Sequence, residues 1–190
     1  MAVDELARRA GADPFREKLS GELARCELAG EPALLLKPQT WMNDSGRSVQ
    51  AAMAFFKVAP GELLVLHDEL DIPFGDVRLK MGGGHAGHNG LRSILACAGE
   101  GDFGRVRLGI GRPPPGFRGE VASFVLSGFD AAERAALPDM LKKAGDAVLD
   151  VARRGFAAAM NASNARNARP KKPKPAPAPP EGEKGGEPSS

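Results

Sequence analysis

The stretch LLVLHDELDIPFGDVRLKMGGGHAGHNGL, residues 63–91, decides how this chain is read. Residues 63–66 are a short apolar run bounded by polar residues, which predicts a buried strand. His67, Asp68, Glu69 and Asp71 follow where that strand ends. In open α/β sheets, sites gather beyond the carboxyl ends of strands. The same window holds all three histidines of the chain, His67, His85 and His88, and a run of three glycines at 82–84. Glycine lets backbone approach a ligand closely, and exposed N–H groups attract anions. The spacing predicts an active or binding site with a polyanion nearby.

Working outward, 190 residues suffice for one domain with a substantial core. The formal charge is only +2, so a nucleic-acid partner must be held by a local patch rather than by a global field. Cys26 and Cys97 lie in apolar surroundings with no CxxC spacing, which argues for reduced core thiols and against a disulfide framework or a zinc site. No apolar run approaches the length that spans a bilayer, and the charged N-terminus lacks a signal-peptide core, so the cytoplasm is expected.

The pattern predicts a helix over residues 1–10, stopped by Gly11 and starting with no capping residue before its apolar face. Strands are expected over 22–28 and 32–37, with a loop over 37–43. A helix follows, capped from 43–45, with Val49, Ala52, Met53 and Phe56 as its stripe. After the central strand come a turn at 72–76, a strand over 77–81 and a helix that Asn89 caps. Residues 105–110 alternate as a strand with one basic side. Residues 121–126 are ambiguous, and a final helix is read from Pro138 to about residue 160. Alternating strands and helices predict an α/β domain with helices on both faces of the sheet. Beyond it, 161–190 reads as a Pro/Lys/Gly-rich disordered tail.

Asp68 is the centre of the candidate chemistry. Along a strand Asp68 and Leu70 face one way and His67 and Glu69 the other, so His67 and Asp68 are not side-chain partners. A carboxylate at a strand end orients an imidazole and stabilises its charged form, making a general base that activates water near neutral pH. The competing reading is a solvated cluster of acids; the crowding of acids and histidines into one window favours a site. His85 and His88 read as bases, metal ligands or loop residues, and their spacing fits no strong metal motif. The glycine run lacks the features of an NTP-binding loop or a dinucleotide fingerprint, and otherwise reads as a tight turn. Asn43 and Asn89 each read alone as helix caps, though an amide also donates to an oxyanion or holds a water. Trp41, the only tryptophan, fills the core or offers a platform for a base or sugar. Lys80, Arg105 and Arg107 are solvated strand residues unless phosphate sits opposite them.

Four stretches together are more specific than any one: KPQTWMNDSG (37–46), HDELDIPFG (67–75), RLKMGGGHAGHNGLRSI (78–94) and FGRVRLGIGRP (103–113). In this order they closely resemble bacterial peptidyl-tRNA hydrolases, and the resemblance covers residues 1–160. It implies a single-domain three-layer α/β/α sandwich with a mixed central sheet. It also implies hydrolysis of the ester between a peptide and the 3′ ribose of tRNA, which recycles tRNA from aborted translation, with no metal or cofactor. By motif, Asp68 matches the carboxylate that keeps the catalytic histidine basic, and His88 a histidine lining the cleft. Asn43 and Asn89 match the asparagines that bind the substrate end and the attacking water, and Trp41 stands beside that end. Lys80 and Arg107 match the pair that grips the tRNA 5′ phosphate. The implied partner is peptidyl-tRNA, bound by a monomer.

The chain departs from the family at its start. The family begins with a strand and a loop carrying the general-base histidine, and residues 1–4 match the interior of the family's first helix. The resemblance therefore implies an N-terminally truncated sequence, with the first strand missing and Asp68 left without an imidazole to orient. The alternatives are a non-catalytic tRNA- or RNA-binding homologue, and a metal hydrolase built on His85, His88 and the neighbouring acids.

Overall fold

The structure is a computed structural model that describes residues 1–98 and 103–166. Helix α1 (Ala2–Ala10) leads into strands β1 (Arg16–Lys18), β2 (Gly21–Leu28) and β3 (Glu31–Pro38). A 3₁₀ turn (Met42–Asp44) and helix α2 (Ser45–Phe56) precede β4 (Leu64–Glu69) and β5 (Val77–Met81). Then come α3 (Asn89–Ala98), β6 (Gly104–Gly109), α4 (Val121–Val125), α5 (Ala131–Arg154) and α6 (Phe156–Arg166). The expected α/β class holds, with helices on both faces of the strands. On one face α1 and α5 bury Leu6, Ala144 and Val148 against Leu35, Leu79 and Val106. On the other, Val49 of α2 and Leu91 and Ile94 of α3 pack with Phe103.

The strands form two three-stranded sheets, β1-β2-β3, which is antiparallel throughout, and β4-β6-β5, which is mixed. β3 and β4 are thus end strands, and an end strand carries unpaired N–H and C=O groups along its outer side. Both line one cavity of about 680 Å³. Neighbouring residues on each strand, Leu34 to Leu36 and Leu64 to Asp68, all border it. Because neighbours point to opposite faces, a cavity that touches them all meets the strand at its edge. The expected mixed sheet is therefore divided, with apolar space between its halves.

Three features depart from the sequence reading. β1 was not anticipated; it closes a hairpin onto β2 through Leu19 and Ser20, both at φ 57°, with no glycine at either of these central positions. The last long helix starts seven residues before Pro138. Asp130 Oδ1 accepts the Glu133 N–H at 2.8 Å and Glu133 Oε2 accepts the Asp130 N–H at 2.9 Å, a reciprocal cap that sets the true start and leaves Pro138 inside α5. Gly155 then separates α5 from α6, which continues to Arg166, so residues 161–166 of the expected tail are helical. Asn164 shows why: its Nδ2 donates to Leu79 O at 2.9 Å and its Oδ1 accepts the Leu79 N–H at 3.2 Å. β5 is an end strand, and this amide pairs with its backbone as another strand would. Residues 167–190 lie outside the described residues.

The approach of α2 to α3 positions the site. Gly46 opens α2 against Ser93: its N–H donates to Ser93 Oγ at 2.9 Å, and a Cβ there would lie 2.1 Å from Ser93 O. Only glycine allows this crossing. It brings the 3₁₀ turn Met42–Asp44 to the start of α3, where a Cβ on Gly90 would lie 2.7 Å from Met42 Sδ.

Candidate active site

Near the end of β4, Asp68 stands opposite Leu108 and His67 opposite Arg107 on β6. The Asp68 carboxylate meets His88, whose Nε2 lies 3.1 Å from Asp68 Oδ1. His88 Nδ1 in turn accepts the Leu91 N–H at 3.2 Å. Nδ1 must then hold a lone pair, so the proton sits on Nε2 and is donated to Asp68. Two expectations change here. Asp68 does have an imidazole to orient, and it is His88. The side-chain cap of α3 also comes from His88, not Asn89, because the ring reaches the N–H of the helix's first turn.

Burial alone would raise the Asp68 pKa, but the hydrogen bond from His88 outweighs it, and the carboxyl lies below its usual range. His67 takes the opposite course. Its ring is buried, Nδ1 donates to Asp68 O at 2.7 Å, and Nε2 has no partner. Burial pushes its pKa down to about 4, so the ring is neutral at physiological pH. The His67 and His88 rings meet edge to face, 5.3 Å between centroids. His67, Asp68 and His88 all border the cavity between β3 and β4.

The other acids have cationic partners. Glu69 Oε2 accepts from Arg107 Nε at 3.0 Å and Nη2 at 2.9 Å, and Asp71 Oδ1 accepts from Arg112 Nε at 2.7 Å. His85 Nδ1 accepts the Gly87 N–H at 3.1 Å. Among the described residues, no three His, Cys, Asp or Glu side chains come together as a metal group, so the cluster needed for the metal-hydrolase alternative does not assemble.

The substrate-end candidates Trp41, Asn43 and Asn89 are chain neighbours of Met42 and His88, which border the cavity, but do not themselves line it. Trp41 is 86% exposed, a free aromatic face rather than core filling. Asn43 is exposed on the 3₁₀ turn, and Asn89 is exposed as the first residue of α3. The two elements touch through Met42 and Gly90, with His88 Cε1 3.0 Å from the place of a Gly90 Cβ.

Lys80 and Arg107 lie on adjacent strands, but the register pairs Lys80 with Arg105 and Arg78 with Arg107. Side chains alternate, so all four cations share one face of the sheet. Arg78 and Arg105 extend the expected pair; the alternating Arg-x-Arg and Arg-x-Lys runs were the signal for them. Arg107 is held by Glu69, whereas Lys80 is exposed with no carboxylate partner among the described residues.

The sequence model of the family described as peptidyl-tRNA hydrolase matches residues 1–172. A peptidyl-tRNA hydrolase of Sorangium cellulosum (strain So ce56) is 73% identical over 161 residues, 85% of this chain and 72% of that protein. One from Mycolicibacterium vanbaalenii is 49% identical over 162 residues, 85% of this chain and 83% of that one. The crystal structure of peptidyl-tRNA hydrolase from Acinetobacter baumannii superposes with a TM-score of 0.78 at 37% identity, covering 86% of this chain and 83% of the other. No described helix is long and apolar enough to cross a membrane. With these likenesses running through every element that builds the Asp68–His88 site, the chain belongs to the peptidyl-tRNA hydrolase family.

Proposed function

We propose that this chain hydrolyses the ester joining a peptide to tRNA, as a cytoplasmic monomer that recycles tRNA from aborted translation. Family membership supports the reaction, and one observation carries its assignment to this site. An ionised carboxylate at the end of β4 holds an imidazole that also caps α3, beside two asparagines at the surface and an exposed tryptophan.

The roles combine this geometry with those the resemblance implies. Both His88 nitrogens are engaged, so His88 has no free lone pair to take a proton; it keeps Asp68 ionised and oriented. Asp68 Oδ1 faces His88, and the carboxylate, about a third exposed at 32%, is left open to accept a hydrogen bond from the attacking water and take up its proton. Asn43 and Asn89 present amides that hold the peptidyl end and the attacking water, and donate to the oxyanion that forms at the ester. Trp41 supplies a stacking face for the 3′ nucleotide. Lys80 and Arg107 contact phosphate, and that part of binding weakens with salt.

The test pairs release of labelled peptide from peptidyl-tRNA with tRNA binding, for the unaltered chain and for Asp68→Asn. The expected result is retained binding and a loss of release of ~10²-fold or more in the variant. Equal release by both proteins removes Asp68 from the chemistry. Binding with no release by the unaltered chain replaces the hydrolase reading with the non-catalytic tRNA-binding one.

A further inference from the structure

Arg105 is a charged side chain that the proposed chemistry does not use. It is 2% exposed, yet among the described residues no carboxylate pairs with it. Its Nη1 donates to Gly84 O at 2.7 Å and its Nη2 to Gly83 O, while Nε is buried without a partner. The guanidinium lies over the Phe103 ring, 4.8 Å from the centroid. Burying a cation is costly unless the fold uses it. Here two consecutive carbonyls of the glycine run take one rigid fork, which fixes the path of that loop.

The loop in turn determines where a second cation sits. Gly83 has φ +93°, which side-chain-bearing residues rarely adopt, and a Cβ there would lie 3.0 Å from both Cε and Nζ of Lys80. The Lys80 stem therefore lies along the bare face of Gly83, and a lysine otherwise free to sample many rotamers is confined. Lys80 and Arg105 are direct cross-strand neighbours, and like charges placed opposite one another repel. An anion over this face relieves that repulsion. Among the described residues Lys80 has no carboxylate partner of its own, so its ammonium is available to one.

We propose that Arg105 and Gly83 are positioning residues that hold the Lys80 ammonium over the basic sheet face to receive a phosphate of the RNA substrate. The inference rests on the reading of Lys80 as a phosphate contact. Arg105 acts from beneath, through Gly83, and does not touch the phosphate.

The experiment measures binding, which needs no turnover. The probes are two short RNA hairpins with the shape of an acceptor stem, one with a 5′ phosphate and one with a 5′ hydroxyl. The unaltered chain is expected to prefer the phosphorylated hairpin by about tenfold, and Lys80→Met to abolish the preference. Gly83→Ala, in an exposed loop, and Arg105→Lys, which keeps the charge but loses the fork, are each expected to reduce the preference at least ~3-fold. Both variants are expected to bind the 5′-hydroxyl hairpin as tightly as the unaltered chain does, whereas a merely structural loss would weaken both hairpins alike. Preference lost with Lys80→Met but kept in both other variants overturns the inference alone. Absence of any preference in the unaltered chain overturns the phosphate reading of Lys80, and the inference with it.

Discussion

Replacing His67 with glutamine should flatten the acid limb of the stability curve. In the folded chain the His67 ring is buried, donates from Nδ1 to the Asp68 carbonyl and leaves Nε2 without a partner. Protonation would place a cation in that pocket, beside His88 and with Arg107 opposite on β6. The nearby Asp68 and Glu69 offset this only in part, and the folded pKa falls to about 4 from an ordinary 6.5. The unfolded chain therefore binds the proton more readily between those values. The His67 contribution is fully present above pH 6.5 and is lost as pH falls toward 4. At pH 5 the loss relative to pH 8 is about 2 kcal/mol, approaching ~3.4 kcal/mol in the acid limit.

The assay is urea denaturation of both proteins at several values between pH 5 and 8. The substitution has a pH-independent cost of its own, but the difference in slope does not depend on it. Carboxylates with lowered pKa values, Asp4 at about 2 among them, lose their contributions at lower pH and stay outside this window. The unaltered chain should lose about 2 kcal/mol more than the variant between pH 8 and pH 5. Parallel curves would refute the reasoning, showing that the imidazole is either solvated or protonated in place.

Two further outcomes follow from close contacts. Asn164→Leu should cost about 1–3 kcal/mol, since the Leu79 N–H and C=O both lose their partner, and hydrogen exchange at the Leu79 amide should accelerate; unchanged protection would mean that the edge of β5 is closed by something else. Gly46→Ala should cost ~1–3 kcal/mol by overpacking, because the new methyl sits 2.1 Å from Ser93 O, with a lower midpoint in urea and weaker tRNA binding as the Trp41 loop moves from α3; an unchanged midpoint would show that the two helices separate freely.

Sequence periodicity located the elements that have one buried face. The stripe Val49, Ala52, Met53, Phe56 and the run before His67 found α2 and β4 because their apolar spacing has a structural period. β1 escaped because all three of its residues, Arg16 to Lys18, are exposed and its turn uses Leu19 and Ser20. The start of α5 escaped because Pro138 is a stronger local mark than the Asp130–Glu133 cap that sets it. In the site, the residue types and their clustering were legible, but the partnerships were not. Strand alternation separates His67 from the Asp68 side chain, yet nothing in the spacing tells that His88, twenty positions later, closes on that carboxylate. Arg105 was visible as one residue of a basic strand face; that it is buried, and holds glycine carbonyls, follows only from the loop crossing above it.

That His88 serves α3 and Asp68 at once decides how the site must be probed. Removing the ring uncaps the Leu91 N–H and withdraws the donor from Asp68 in one step, so a loss of function would not tell a shifted helix from a changed carboxylate. The helix carries Ser93, which receives Gly46 and so fixes the loop bearing Trp41 and Asn43, and a change at His88 spreads through all the substrate-end candidates. Asp68→Asn behaves differently. It keeps the size of the side chain, removes its charge and leaves the bond between His88 and Leu91 in place. A fall in rate with tRNA affinity intact then belongs to the carboxylate, whereas a fall in both would place Asp68 among the groups that hold the cleft together.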